Sequence, residues 1–208
     1  MEEKKISEQE SLELITQMIN QTKKDLSVGN GDSFLMWGYL SAAISLAVIV
    51  MLLATNDPRY AWLYMVIPIA GFTVSGIKTY KAKRKSHVAS TYASNTINNV
   101  WAIISAVFAV YAISCLLHFG EVRSWNGMFL LGMLLPGIGT YTTGVILKEK
   151  SIQICGLLGV VIGTGLLRDF VCGEQVISIM QMGQMVLSFV ITLIIPGHIL
   201  NFKAKKQQ

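Results

Sequence analysis

The sequence predicts an all-α polytopic membrane protein: six transmembrane helices arranged as three helical hairpins, preceded by an N-terminal cytoplasmic amphipathic helix. Three observations lead there. The 208 residues are 52% hydrophobic and 14% charged, against roughly 25% charged in soluble domains. A mean hydropathy of +0.52 leaves too little polar surface to clothe a soluble core of this size. Six apolar runs lie near the roughly 20 residues a bilayer core requires, and the basic residues cluster on one side of them.

The chain opens on a hydrophilic segment, residues 1–33, read as a cytoplasmic helix and turn. Ser7 with Glu10 forms a capping-box pattern for a helix running to about Leu26. Leu12, Ile15, Met18, Ile19 and Leu26, joined by Leu14, share one broad apolar face. The charge before the first span is −3, seven acidic residues against four lysines. Anionic lipid favours basic helices, so packing on protein (the chain's own loops, a second copy or a cytoplasmic partner) is preferred to lying on lipid, which stays the alternative. Val28-Gly29-Asn30-Gly31-Asp32 reads as a turn, with Asp32 or Ser33 capping the first span. With a hydrophilic start, no cleavable signal peptide is expected, and the first span doubles as targeting signal.

The transmembrane domain is placed at 34–202, with spans at 34–55, 60–80, 100–120, 126–147, 151–167 and 176–201, followed by a basic tail at 203–208. With a cytoplasmic N-terminus, 14 of the 17 basic residues fall inside and only Arg59, Arg123 and Arg168 outside. That asymmetry places both termini in the cytoplasm and requires an even number of spans. The net charge of +5 is thus topological, and without a basic face or recognition motif a nucleic-acid partner is not expected. The C-terminal Lys205-Lys206-Gln207-Gln208 matches a dilysine retrieval pattern, but basic residues after an inward-facing last span are expected in any case.

The spans repeat short phrases. Val66-Ile67-Pro68-Ile69-Ala70-Gly71, Leu134-Leu135-Pro136-Gly137-Ile138-Gly139 and Ile194-Ile195-Pro196-Gly197 occupy alternate spans, and Trp37-Gly38-Tyr39-Leu40-Ser41 parallels Trp101-Ala102-Ile103-Ile104-Ser105. Three hairpins of about 60 to 70 residues, descended from one unit, explain this most simply. Pro68, Pro136 and Pro196 are candidate kinks: either ordinary bends for packing, or three kinked helices lining a shared cavity. The fifth span lacks the Trp-Ser phrase. It carries Cys155, Gly159 and Gly163 on a small-residue face, suited to close packing within the chain or to homodimerisation.

Chemistry is sparse. All twelve acidic residues fall outside the spans, where proton relays and voltage sensors need ionisable groups, so a pump or proton-coupled transporter is disfavoured. Three cysteines make no disulfide scaffold, and no Cys or His pair has zinc spacing. A bridge between Cys115 and Cys172 is compatible with an oxidising outer face. No cofactor is expected. Uncharged polar groups lie in the fourth span at Thr140, Tyr141, Thr142 and Thr143, and in the sixth at Ser178, Gln181, Gln184 and Ser188. Gln181, Gln184 and Ser188 share a helical face and form the candidate polar pocket; interhelical hydrogen bonding is the plainer reading. The 79–99 loop reads as a solvated connector.

Six spans with a cytoplasmic N-terminus resemble rhomboid-type intramembrane proteases, but the fourth span reads Gly137-Ile138-Gly139-Thr140, with no serine nucleophile, and His198 lies at the end of the sixth. No enzyme is expected. Ser7-Glu8-Gln9-Glu10-Ser11-Leu12-Glu13-Leu14-Ile15, Met18-Ile19-Asn20 and Phe34-Leu35-Met36-Trp37-Gly38-Tyr39-Leu40 resemble small membrane proteins of Bacteroidota. The resemblance covers the first fifth of the chain and implies a bacterial inner membrane. The function expected is a non-enzymatic regulatory, accessory or scaffold protein presenting its cytoplasmic helix. The alternative is an uncoupled transporter or channel for a small neutral or amphiphilic solute.

Overall fold

A computed structural model describes residues 8–85, 92–117, 122–172 and 178–206. Ser7 of the predicted capping box lies outside them. Every element among the described residues is a helix: α1 (Glu8–Thr55), a 3-10 helix (Pro58–Met65), α2 (Val66–Lys85), α3 (Tyr92–Leu117), α4 (Val122–Ile146), α5 (Lys150–Val171), α6 (Ile179–Phe189), a π-helical segment (Val190–Ile194) and α7 (Ile195–Lys206). Among the described residues five helices are long and apolar enough to cross a membrane: Gly31–Thr55, Tyr92–Cys115, Gly127–Ile146, Lys150–Arg168 and Ile179–Lys206. Their outward faces carry apolar side chains such as Val50, Val110 and Val161, each at least 60% exposed. In water these would be an aggregating surface; lipid would be their natural solvent, and together with the five apolar helices they suggest a membrane protein.

The run expected at 60–80 differs from the others. It is a shorter apolar helix, Trp62–Lys78, whose first part belongs to the 3-10 helix. Asn56 at φ 52° makes the bend, Asp57 accepts the Arg59 backbone N–H at 2.9 Å, and Pro58 opens the 3-10 helix. Pro68, three residues into α2, offers no N–H to the Tyr64 carbonyl, so the α-helical ladder cannot run unbroken through this point.

The expected turn at Val28–Asp32 is not there: α1 continues through it. The reason is tertiary. A Cβ at Gly31 would collide with the Asn201 side chain, and Asn201 Nδ2 donates to Asp32 Oδ1 at 2.8 Å. Gly31 and Asp32 therefore dock α1 on α7 rather than ending a helix, and that docking offsets the roughly 1 kcal/mol a mid-helix glycine costs. The boundaries expected at 33/34 and 202/203 fall inside α1 and α7. Lys203 of the tail forms an ion pair with Glu149, and Ala204 is buried.

The core joins α1, α4, α5, α6 and α7 around Phe34, Phe129, Met133, Ile152, Met185 and Leu193. Its tightest seam is α4 on α5. A Cβ at Gly137 would lie 2.8 Å from the Val160 nitrogen, and one at Gly144 would lie 2.7 Å from the Gln153 nitrogen. The α4–α5 turn is a Schellman motif: Glu149 N–H bonds the Gly144 carbonyl at 2.8 Å and Lys148 N–H bonds Val145 at 3.1 Å. Its left-handed position is held by Lys148 at φ 56°, where a side chain costs about 1 to 2 kcal/mol. Lys148→Gly is accordingly expected to stabilise the protein by about 1 kcal/mol, read as a higher midpoint in detergent unfolding. An unchanged or lower midpoint would count against this geometry.

Candidate functional site

A cavity of about 520 Å³ opens among α1, the 3-10 helix, α2, α3, α4 and α6; ligand pockets commonly measure about 300 to 1,000 Å³. Its walls bring the repeated sequence phrases together. Trp37 and Ser41 come from α1, Trp101 and Ser105 from α3, Pro68 from α2 and Pro136 from α4. Met185, Phe189 and Leu193 complete it from α6 and the π segment. These sit four residues apart, which places them on one helical face.

Each wall is fixed by local chemistry. Phe34 meets Trp101 edge-on with centroids 5.2 Å apart, and Tyr64 meets Phe129 at 4.9 Å. Trp101 Nε1 donates to Thr143 Oγ1 at 3.1 Å, which ties α3 to α4. Ser105 is satisfied by its own helix, donating to the Trp101 carbonyl at 2.8 Å.

The glycines beside the prolines seat neighbouring helices. A Cβ at Gly71 would collide with the Trp37 ring, one at Gly139 would lie 2.7 Å from Ile104 Cδ1, and one at Gly197 would lie 2.8 Å from Leu35 Cγ. Trp37 also meets Phe72 edge-on at 5.6 Å. In α4, Pro136 therefore borders the cavity, Gly137 faces α5 and Gly139 faces α3. Pro68 and Pro136 line the cavity, whereas Pro196 lies outside its lining.

Pro196 has a different role. It offers no N–H to the Thr192 carbonyl, and the helix before it relaxes into the π segment, where Ile195 N–H bonds the Val190 carbonyl. The freed Thr192 carbonyl accepts from Thr140 Oγ1 of α4 at 2.6 Å, with both threonines fully buried. A proline on one helix is thus satisfied by a hydroxyl on another, the arrangement that makes such breaks tolerable in lipid.

The polar residues singled out from the sequence are placed elsewhere. Gln181 closes a capping box with Ser178: Ser178 N–H donates to Gln181 Oε1 at 2.8 Å, and Gln181 N–H donates to Ser178 Oγ at 3.3 Å. Ser188 is fully buried with no partner for its hydroxyl, and Gln184 is half-buried. None of the three lines the cavity, whose described lining carries no charged side chain. Of the face assigned to Cys155, Gly159 and Gly163, the two glycines pack on Thr192 and Leu134 of the same chain, joined by Gly156 on Tyr141, while Cys155 is half-buried. On the N-terminal face Leu12 is 64% exposed; the side chains of Ile15, Met18, Ile19 and Leu26 lie outside the described set. Cys115, which is buried, and Cys172, which is exposed, are not joined in a disulfide. His198 faces Tyr39, Nε2 to hydroxyl 2.8 Å.

The apolar wall of Trp62, Phe72, Phe108 and Met185 was not foreseen. Its visible signal was the recurrence of the Trp-Ser and Pro phrases. No protein-family model, curated protein or solved structure matches the chain.

Proposed function

We propose that this chain is a polytopic bacterial inner-membrane protein with a non-enzymatic regulatory, accessory or scaffold role. In this reading six crossings form three hairpins, both termini are cytoplasmic, and α1 presents a helix to a cytoplasmic partner or a second copy. The carrying observation is the continuity of α1, 48 residues without a break. At 1.5 Å per residue it is about 72 Å long, against a hydrocarbon core of about 30 Å. The segment bearing Leu12, Ile15, Met18, Ile19 and Leu26 is therefore joined stiffly to the helix that borders the cavity.

Several contacts support the even number of crossings. Asp32 at the start of the first apolar helix meets Asn201 near the end of the last, and Glu149 after α4 meets Lys203 at the same end. Between them, α2 returns from Thr55 to stack Gly71 and Phe72 on Trp37. The 3-10 helix helps this return, since its rise of about 2 Å per residue covers more depth with fewer residues than an α-helix. The concentration of basic residues at that end supports a cytoplasmic assignment, and the N-terminal resemblance supports a bacterial one.

A proximity-labelling enzyme fused to the N-terminus tests the role. One cytoplasmic protein is expected to be labelled reproducibly and lost on Leu12→Glu/Ile15→Glu, with membrane insertion unchanged and the contact recovered when that protein carries the enzyme. An identical labelling pattern for both chains overturns the reading. The cavity favours a second reading, an uncoupled carrier of small neutral or amphiphilic solutes; flux in proteoliposomes that Gly132→Phe abolishes would decide for it.

A further inference from the structure

The bundle leaves one side of α1 uncovered. Within its apolar part, Gly31–Thr55, Ala42, Ser45 and Val48 are buried, while Ala43, Ala47 and Ala54 are exposed and Val50 is 62% exposed. α7 takes a second side, through Gly31 and Asp32, and α2 a third, through Trp37. The uncovered side is built mostly of small residues, with Met36 and Leu40 part-exposed at its start.

That side continues into the cytoplasmic half of the helix. Alternating steps of four and three residues from Ala54 link Val50, Ala47, Ala43, Leu40 and Met36 to Ser33 and Gly29. The same alternation runs on through Leu26, Thr22, Ile19 and Ile15 to Leu12, itself 64% exposed. These are the a and d sites of a heptad repeat. None of them is charged, and every charged residue of α1, from Glu8 to Asp32, lies off them. A strict seven-residue repeat keeps to one side over this length only where helices wind round each other left-handedly. Gly29 gains a reason as well. Gly31 seats Asn201, whereas Gly29 lies about 200° round the helix from it, away from α7, where a small residue lets a second backbone come close.

The occupant has to match both halves. A soluble protein covers only the cytoplasmic part of this seam and a lipid only the membrane part. A second copy offers the same unbroken helix, and the bilayer holds both copies at one depth and in one register. Charge permits the pairing: across a parallel pair Met18 stands opposite Lys23 and Asp25 opposite Asn30, so no like charges meet. Area permits it too. At 1.5 Å per residue the seam is about 63 Å long, and a contact strip about 10 Å wide covers on the order of 600 Å² per copy. Twice that reaches the roughly 1,200 Å² at which stable interfaces begin.

We propose that α1 is a homodimerisation helix, pairing in parallel with α1 of a second copy along one seam from Leu12 to Ala54. The inference rests on the regulatory reading above and names the second copy as the first partner of α1. The paired helices, rather than a lone amphipathic helix that is marginal in water, are then what the cytoplasm meets.

Single cysteines placed along α1 of the full chain, with Cys115, Cys155 and Cys172 changed to serine, test this in native membranes. Under mild oxidation, disulfide-linked dimers are expected from Ile15→Cys, Ile19→Cys, Leu26→Cys, Ala43→Cys and Ala47→Cys, and not from Gln17→Cys, Lys24→Cys, Leu46→Cys or Leu53→Cys. Leu46 and Leu53 are 52% and 57% exposed but flank the seam, too far from their own counterparts for the roughly 7 Å Cα separation a disulfide tolerates. Chance collision would link them as readily as position 47. Equal linking at 46 and 47, linking confined to the cytoplasmic half, or none at the seam overturns the proposal. Should the serine background fail to insert, energy transfer between two differently tagged copies of the otherwise native chain decides. It is expected to fall to background in Ala47→Trp and to persist in Val161→Trp, on the exposed side of α5; equal transfer in both overturns the proposal. Seam dimers without a labelled cytoplasmic protein would leave this inference standing and remove the regulatory role, and retained labelling without dimers would do the reverse.

Discussion

Gly156→Ala is expected to destabilise the protein by about 3 kcal/mol or more, at the upper end of what adding one methyl to a packed interior costs. The added carbon would collide with the Tyr141 backbone nitrogen and lie 2.6 Å from its Cα and 2.8 Å from the Gly137 carbonyl oxygen. All three are main-chain atoms, so no rotamer change relieves the overlap, and α4 and α5 must separate along the seam that also holds Gly137, Gly144 and Gly163. The matched control is Gly165→Ala in the same helix, where an added Cβ meets nothing within 4 Å. Alanine there should be neutral or stabilising by up to about 1 kcal/mol. Unfolding midpoints in mixed micelles read both variants; equal midpoints for the pair would mean that the close α4–α5 approach is wrong.

Thr140→Val is expected to cost about 1 to 2 kcal/mol, because the buried Thr192 carbonyl loses its one donor from outside its helix. The cost should depend on Pro196. In a Pro196→Ala background the new N–H of residue 196 can reach the Thr192 carbonyl, and the π segment can revert to α-helical pairing. Thr140→Val should then cost clearly less, giving a coupling of about 1 kcal/mol in a double-mutant cycle. Equal costs in the two backgrounds would separate the proline from the threonine.

Helical class and apolar elements were legible because they depend on composition and run length, which hydropathy reads directly. Long-range replacements were not. Thr140 and Thr192 are 52 residues apart, and nothing near either announces that one will supply what Pro196 withholds. Gly29 to Asp32 carries every local mark of a turn, yet the docking of Asn201 on Gly31 and Asp32 keeps the helix whole. Ser178-Ile179-Met180-Gln181 has the spacing of a capping box, but the apolar run around it invited a pocket reading for Gln181. The cavity was half legible. The repeated Pro phrases carried a shared-cavity reading and the Trp-Ser repeat only that of a duplicated unit, while Phe72, Phe108 and Met185 look in sequence like any lipid-facing side chain.

The claim on which the rest depends is that α2 completes a crossing, so that six elements bring the chain ends to one face. Protease protection of the full chain, tagged at both termini and compared in intact spheroplasts and inverted vesicles, tests it directly. Both tags are expected to survive in spheroplasts and be digested together in inverted vesicles. Digestion of one tag on each side would mean an odd number of crossings and contradict the account.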